Sequence, residues 1–484
     1  MASHSTTSRQ LQFLIGLLAT ALSGAAWWFG TGLTPNPWLT WFAPLPVLLL
    51  APQVSLSCAL LAAATAGACA GLNQWHYLHG IIGLPLPVDL LVVTVPAVTF
   101  TLCVALFRRL WCMGRVISAA LALPALWGAI QFLSTLTSPH GTFGDLGYSQ
   151  MDMLPVIQIA SLTGIWGIGF LVLLVPSALA VLLLPGPTAR LRAIAGAFAL
   201  ALLAGTLLFG NARLQEPAMS SLRVGLVALS GPVRPAVGEP AGQALQQRYL
   251  DAIERLAAQG ASVVVLPETS FAATDATALP ALADAAARHG LTLNVGVALT
   301  NFSQKLEHNE HEHNAALTFE AARTPATTYS KRHLIPGLED NYLAGTDFTV
   351  LPGAPDIGLA ICKDMDFQDI GNAYAARGAQ LLLVPAWDFG ADGWLHGRMA
   401  VMRGVESGFA IARSARSGRL TLSDDRGRVL AEASSETQDA ELVEDLPLRA
   451  TSTLYARWGN WFAWVNVALL LGLLVRAVRM QRQP

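Results

Sequence analysis

Val263-Val264-Val265-Leu266-Pro267-Glu268 is a short apolar run that stops on a proline and a carboxylate. A run of this length bounded by a breaker reads as a buried strand, and residues just past such strands stand where open α/β sheets hold their ligands. Two more stretches have polar residues in the same place: Tyr329-Ser330-Lys331-Arg332-His333-Leu334-Ile335-Pro336 and Gly358-Leu359-Ala360-Ile361-Cys362-Lys363-Asp364. Working outward, apolar runs at 222–229, 261–266, 291–299, 315–319, 357–361, 381–385 and 410–415 alternate with helical patterns at 241–258, 280–289, 370–377 and 395–407. Strands alternating with helices predict sheets covered by helices.

This pattern occupies 211–457 and reads like ordinary soluble protein. The rest does not. The 484 residues are 53% hydrophobic and only 13% charged, against about a quarter charged in ordinary globular chains. Eight stretches are candidates to cross a bilayer: 11–33, 38–51, 54–72, 87–107, 117–136, 164–184, 191–210 and 458–475. Pro44 and Pro46 shorten the regular part of the second. The expected organisation is a seven-span bundle over 1–210, a catalytic domain over 211–457, and a returning helix with a tail over 458–484. With eight spans, Arg9, Arg108, Arg109, Arg115, Arg190, Arg192, Arg476, Arg479 and Arg482 share one side. The positive-inside rule makes that side cytoplasmic and turns 211–457 outward. The net charge of −2 gives no basic surface for nucleic acid, so that class is set aside.

Four of the five cysteines, Cys58, Cys69, Cys103 and Cys112, lie in or beside apolar spans, leaving Cys362 alone in the soluble part. A thiol nucleophile needs a base, and the carbonyl it attacks needs a cation or dipole for its developing oxyanion. Glu268, Lys331 and Cys362 together supply that set. Singly, each has a bland reading: a core cysteine, a strand-ending glutamate, a solvated basic turn. His308, His311 and His313 lack the spacing of a helix-based zinc motif and read as a polar turn between strands. Trp27, Trp28, Trp38, Trp41, Trp458, Trp461 and Trp464 near span ends read as interfacial anchors.

The order Pro-Glu, Lys-Arg-His-Leu-x-Pro and Gly-x-x-Ile-Cys resembles the nitrilase, or carbon-nitrogen hydrolase, superfamily. The membrane frame, together with Gly147-Tyr148-Ser149-Gln150 and Met399-Ala400-Val401-Met402-Arg403-Gly404-Val405-Glu406, is similar to its membrane branch, the apolipoprotein N-acyltransferase family. The resemblance implies an α-helical bundle of about eight spans plus an αββα nitrilase-like sandwich, in a bacterial inner membrane. It implies Cys362 as nucleophile, Glu268 as general base and Lys331 as oxyanion cation. Glu339 would support the lysine, the Lys363 backbone N–H would complete the oxyanion hole, and Asp364 would support the site. The implied donor is a membrane phospholipid such as phosphatidylethanolamine, and the implied acceptor is the α-amino group of a diacylglyceryl-cysteine apolipoprotein. Neither cofactor nor metal is called for.

Departures keep other readings open. Lys363 and Asp364 stand where the family has an aromatic residue and Glu. Pro385-Ala386-Trp387-Asp388-Phe389 replaces a Ser-Asn-Asp-Ala-Trp-Phe stretch, and 230–242 lacks the family's Trp. Lys363 would either lower the Cys362 pKa or pair with Asp364 on the rim. The alternatives are a membrane-anchored amidase, an acyltransferase with another amine acceptor, and a binding protein on a decayed catalytic fold. Residues 334–343 or 387–394 would serve as a lid.

Overall fold

The computed structural model describes residues 2–186, 188–275, 277–300, 312–321 and 323–478. They form two compact units: 2–137 with 144–212 and 460–478, and 138–143 with 213–459.

Among the described residues, seven helices are long and apolar enough to cross a membrane: Gln12–Gly30, Leu56–Ile82, Leu86–Cys112, Val116–Thr135, Ile165–Leu183, Ala189–Leu214 and Trp461–Val478. Below, α1 is Ala2–Gly30, α2 Leu56–Leu72, α3 Leu86–Cys112, α4 Val116–Thr135, α5 Ile165–Leu183 and α6 Ala189–Leu214. Most of α5 is buried, whereas Phe13, Leu14, Leu200 and Leu208 are exposed by 60% or more. Apolar surface of that extent needs lipid around it.

The second expected span is the exception. Leu39–Gln53 is too short to be one long span; it is broken into Leu39–Trp41, Leu45–Leu50 and Ala51–Gln53. Pro44 starts its middle piece without an N–H to donate. The segment still travels the length of the bundle. Asn73, just past α2, donates to Trp28 O (2.9 Å) and Thr31 Oγ1 (3.0 Å), so α1 and α2 end together. Gly71 and Gly67 face Val93 and Ala97, so α3 runs back alongside α2. Arg108, near the far end of α3, donates to Ala51 O. The chain therefore returns from the end of α1 to the start of α2 through the broken segment. Gln150 pins that segment, donating to Pro37 O and Thr40 Oγ1 (both 2.9 Å) and accepting from Trp41 Nε1 (2.8 Å). Trp41 and Trp27 are buried, Trp27 stacked on Trp127 with centroids 5.0 Å apart, so neither is an interfacial anchor.

The second unit is an αββα sandwich. Its strands are β1 (Ser220–Ala228), β2 (Val263–Val265), β3 (Phe271–Ala273), β4 (Thr292–Thr300), β5 (Glu312–Glu320), β6 (Arg323–Ser330), β7 (Val350–Leu351), β8 (Ile357–Leu359), β9 (Leu381–Trp387), β10 (Ala410–Arg416), β11 (Arg419–Ser423), β12 (Val429–Ser434) and β13 (Ala440–Leu448). One sheet has the order β13-β1-β2-β4-β5-β6, with β3 on β4; the other is β12-β11-β10-β9-β8-β7. Helices are α7 (Pro240–Ala258), α8 (Pro280–His289), α9 (Gln368–Ala376) and α10 (Gly393–Ser407).

The two-residue period of each strand builds the layers. Leu381 and Leu383 face the other sheet, packing with Val224, Leu226, Val263 and Val265. Leu382 and Val384 face the outer helices with Ile370, Tyr374 and Ala400. Leu245, Tyr249 and Ile253 of α7 and Leu282 of α8 cover the first sheet. Strands β3, β6, β7, β11, β12 and β13 fall outside the runs expected from hydrophobicity, β3 and β7 being too short to show a period and the others mixed in polarity. His313 belongs to β5 rather than to a turn, while His308 and His311 lie outside the described residues.

Gly71 allows α2 and α3 to touch: a Cβ there would lie 2.5 Å from Val93 Cα, whereas Gly16 has nothing within 4 Å. Gly71→Val should cost about 1–3 kcal/mol through overpacking and lower the thermal midpoint in detergent relative to Gly16→Val. Equal midpoints would refute this close packing.

Candidate active site

Glu268, Lys331 and Cys362 each follow a strand of the second unit: β2, β6 and β8. The sheet edges bring Glu268 and Lys331 into direct contact. Lys331 Nζ lies 2.8 Å from Glu268 Oε1, 2.8 Å from Glu339 Oε2 and 3.0 Å from Glu339 Oε1. Asn314 at the start of β5 ties the carboxylates together, its Nδ2 donating to Glu268 Oε1 (2.6 Å) and Glu339 Oε1 (2.7 Å). Lys331 is 0% exposed, Glu268 3% and Glu339 6%. A buried ammonium persists only when it is paired and hydrogen-bonded, and here two carboxylates do that while Asn314 holds them in place.

Backbone geometry fixes the carboxylate and the thiol. Thr269 (φ +45°) and Cys362 (φ +43°) are non-glycine residues in the left-handed region, a conformation that costs of order 1 kcal/mol or more and must be enforced by its surroundings. Glu268 presses against Gly296 of β4, where a Cβ would lie 2.5 Å from Glu268 Cα. Cys362 opens a 3-10 turn, Cys362–Asp366, and its Sγ lies 3.6 Å from Trp387 O. Lys363 is next in the turn, a position whose N–H short helical bonding leaves available.

Asp364 is an organiser with no place on the rim. It is fully buried. Its Oδ1 accepts from Arg332 N (3.1 Å) and His333 N (2.9 Å), and its Oδ2 from Tyr329 OH (2.7 Å) and Ile361 N (2.9 Å). The lysine segment and the cysteine turn are thereby joined by one carboxylate. The expected Lys363–Asp364 pair does not form. Lys363 is buried instead, with Nζ 3.1 Å from His140 Nδ1 and 3.5 Å from Asp366 Oδ2. His396 stands 3.6 Å from Asp366 and 3.2 Å from Asp392. Burial acts to discharge His396, but the two aspartates outweigh it and push its pKa up to about 10. The stretch 385–389 has its own logic, since Asp388 forms a buried ion pair with Arg413.

Electrostatics leave the thiol protonated at rest. Burial first, and then the Glu268 charge, push Cys362 well above the ordinary thiol range, against Lys331 and Arg413. Burial raises the Glu268 carboxyl too, with Lys331 and Asn314 opposing and Glu339 adding to it. For Lys331, burial pulls down, but the Glu268 charge, with that of Glu339, more than compensates, and the ammonium is held above its usual range. A thiol held protonated must give up its proton as it attacks an electrophile, so reactivity here calls for a base. Sequence reasoning missed Asn314, Tyr329, His140, Asp366, His396 and the Asp388–Arg413 pair. Only Asn314, polar at the mouth of an apolar strand, left a signal.

A base works only when ionised, so a raised Glu268 pKa moves the loss of reactivity to higher pH. Alkylation of Cys362 by iodoacetamide should rise with pH through a midpoint above the ordinary carboxylate range. Glu268→Gln should remove that limb and slow the neutral-pH reaction roughly 10²–10⁴-fold. A wild-type rate flat down to about pH 4 would rule this out.

The profile of the carbon-nitrogen hydrolase family matches residues 233–455, and that of the apolipoprotein N-acyltransferase N-terminal domain matches 23–179. A relative from Bradyrhizobium diazoefficiens named apolipoprotein N-acyltransferase is 26% identical, covering 86% of this chain and 82% of its own. One of the same name from Geobacter metallireducens is 28% identical over 73% of each. Among solved structures, an amidase from Nesterenkonia sp. is 25% identical, covering 47% of this chain and 91% of its own, with a TM-score of 0.40. With one profile matched in the helical half, the other in the α/β half, and relatives of one name aligned along most of its length, the chain is similar throughout to the apolipoprotein N-acyltransferase branch of the carbon-nitrogen hydrolases.

Proposed function

We propose that this protein moves a fatty acyl chain from a membrane phospholipid, phosphatidylethanolamine among them, through a Cys362 thioester, to the N-terminal amine of a diacylglyceryl-cysteine apolipoprotein. The observation that carries the reading is the buried Lys331 held by Glu268 and Glu339 beside a protonated cysteine, in a chain with seven long apolar helices.

In the first half-reaction Glu268 takes the thiol proton as Sγ attacks the ester carbonyl. The oxyanion is met by Lys331 Nζ and the Lys363 backbone N–H. On collapse the C–O bond breaks, Glu268 returns the proton to the departing alkoxide, and lysophospholipid leaves an acyl thioester. In the second half a neutral amine attacks the thioester carbonyl and gives a proton to Glu268. The C–S bond breaks, and the sulfur recovers that proton. Glu339 and Asn314 keep Lys331 and Glu268 aimed throughout, and Asp364 holds the turn that carries the nucleophile. The bundle serves the donor: moving a lipid chain into water costs ~0.8 kcal/mol per CH₂, which a membrane-bound enzyme avoids.

Orientation follows from the later helices alone. If each long helix from α3 onward crosses the membrane, Arg108, Arg109, Arg115, Arg190, Arg192 and Arg476 share one side and 213–459 takes the other, whatever the broken segment does. We assign the basic side to the cytoplasm, which puts the catalytic unit in the periplasm. The full-length return of 39–53 adds a cytoplasmic N-terminus. An alkaline phosphatase fusion after Gln215 should be active; an inactive fusion, with a cytoplasmic reporter active at the same point, would reverse this orientation.

Detergent-purified enzyme incubated with phosphatidylethanolamine should gain one fatty-acyl mass by intact-protein mass spectrometry, released by neutral hydroxylamine. Cys362→Ser should gain no hydroxylamine-labile adduct. Folded wild type that turns over soluble amides and never carries a lipid adduct would favour the hydrolase reading instead.

A further inference from the structure

Two buried hydrogen-bond donors, packed against each other, are not used by the mechanism above. Among the described residues, the Tyr342 hydroxyl is buried without a partner, and so is Arg234 Nε. Tyr342 is only 4% exposed. Its backbone is fixed by Tyr342 N donating to Glu339 O (3.0 Å) and Leu343 N donating to Glu312 O (2.8 Å). The Arg234 guanidinium lies over two rings, 5.2 Å from the Tyr342 centroid and 6.0 Å from that of Trp387. Trp387 is the residue whose carbonyl lies 3.6 Å from Cys362 Sγ. These contacts place a cation with an unpartnered Nε–H over the ring of the residue whose carbonyl meets the sulfur.

Arg234 is also held ready. Its φ of +49° is strained, and the loop carrying it is anchored on both flanks. Arg416 donates to Gly231 O (2.6 Å) and Pro232 O (3.2 Å) while lying 5.1 Å from the Trp387 ring. Ala272 N donates to Pro235 O (3.0 Å). A guanidinium stacked on aromatic faces keeps its edge N–H groups free for a forked anion. The neighbours of both donors are greasy: Val233 is 56% exposed and Leu343 43%. Unsatisfied donors flanked by exposed aliphatic groups suit an anion that carries apolar chains.

We propose that Arg234 and Tyr342, with Trp387 as the stacking platform, form the subsite for the phosphodiester of the lipid acyl donor. The assignment rests on the phospholipid-donor reading above and adds the group that selects a charged lipid over a neutral one. Arg234 supplies the counter-charge and Tyr342 a neutral hydrogen bond to the same head group.

The test compares thioester formation on full-length enzyme, by intact mass, from phosphatidylethanolamine, from diacylglycerol with the same chains, and from p-nitrophenyl butyrate. Wild type should load from the phospholipid at least ~10-fold faster than from diacylglycerol, and Arg234→Gln should collapse that ratio toward one, as expected for losing a charged hydrogen bond. Arg234→Lys should restore part of the ratio, and Tyr342→Phe should reduce it several-fold. If Arg234→Gln slows all three donors equally, the residue is structural and the subsite is overturned while the donor reading stands. If wild type loads only from p-nitrophenyl butyrate, the donor reading fails and the subsite with it. If inorganic phosphate blocks phospholipid loading in wild type at low millimolar concentration and Arg234→Gln abolishes the block, the site belongs to free phosphate and the lipid assignment is overturned.

Discussion

The site depends on one buried ammonium. Lys331 has no access to water and is kept charged by Glu268, Glu339 and the polar bridge of Asn314. Taking one partner from a buried ion pair leaves an uncompensated charge costing about 3–5 kcal/mol, so the three strand ends that meet there must arrive together. That demand explains why so much of the surrounding backbone is over-determined: the left-handed Thr269 and Cys362, the glycine under Glu268, and the four bonds on Asp364. The same burial that makes the cluster costly keeps the thiol protonated until an electrophile is seated.

Around this cluster the sandwich works as a jig. Parallel β1, β2 and β4 bring Glu268 to a sheet end, β8 and β9 bring Cys362 and Trp387 to the neighbouring end, and the interleaved apolar faces of the two sheets set their separation. A carboxylate beside each catalytic segment then trims the fit: Glu339 for the lysine, Asp364 for the cysteine turn, Asp388 with Arg413 for the strand whose carbonyl touches sulfur.

Much of this was legible in the chain itself. Buried strands flanked by breakers gave the α/β class, and Glu268, Lys331 and Cys362 were visible because reactive residues stood at strand ends where packing alone does not call for them. Edge strands such as Arg323–Ser330 and Ala440–Leu448 were not, since one face meets polar surroundings and the hydrophobic period fades. The rim pair of Lys363 with Asp364, one of two readings of those residues, does not form, although adjacent opposite charges suggest it. A tight turn sends neighbouring side chains different ways, and each found its partner far off in sequence, at Tyr329 and His140. The broken segment 39–53 was read as a span from composition; its prolines decided its form, and Gln150 supplied what the missing helical bonds could not.

The six residues 138–143 are written into the gene among the helices of the first unit, yet they pack in the second. Thr142 donates twice to Asp366 O (3.0 and 2.9 Å), and His140 meets Lys363. The α/β half is therefore not an inheritable block: a recombination event that moved 213–459 alone into another protein would carry Glu268, Lys331 and Cys362 and abandon the brace behind the cysteine turn. Shuffling of this domain between genes should be penalised unless the helical half travels with it.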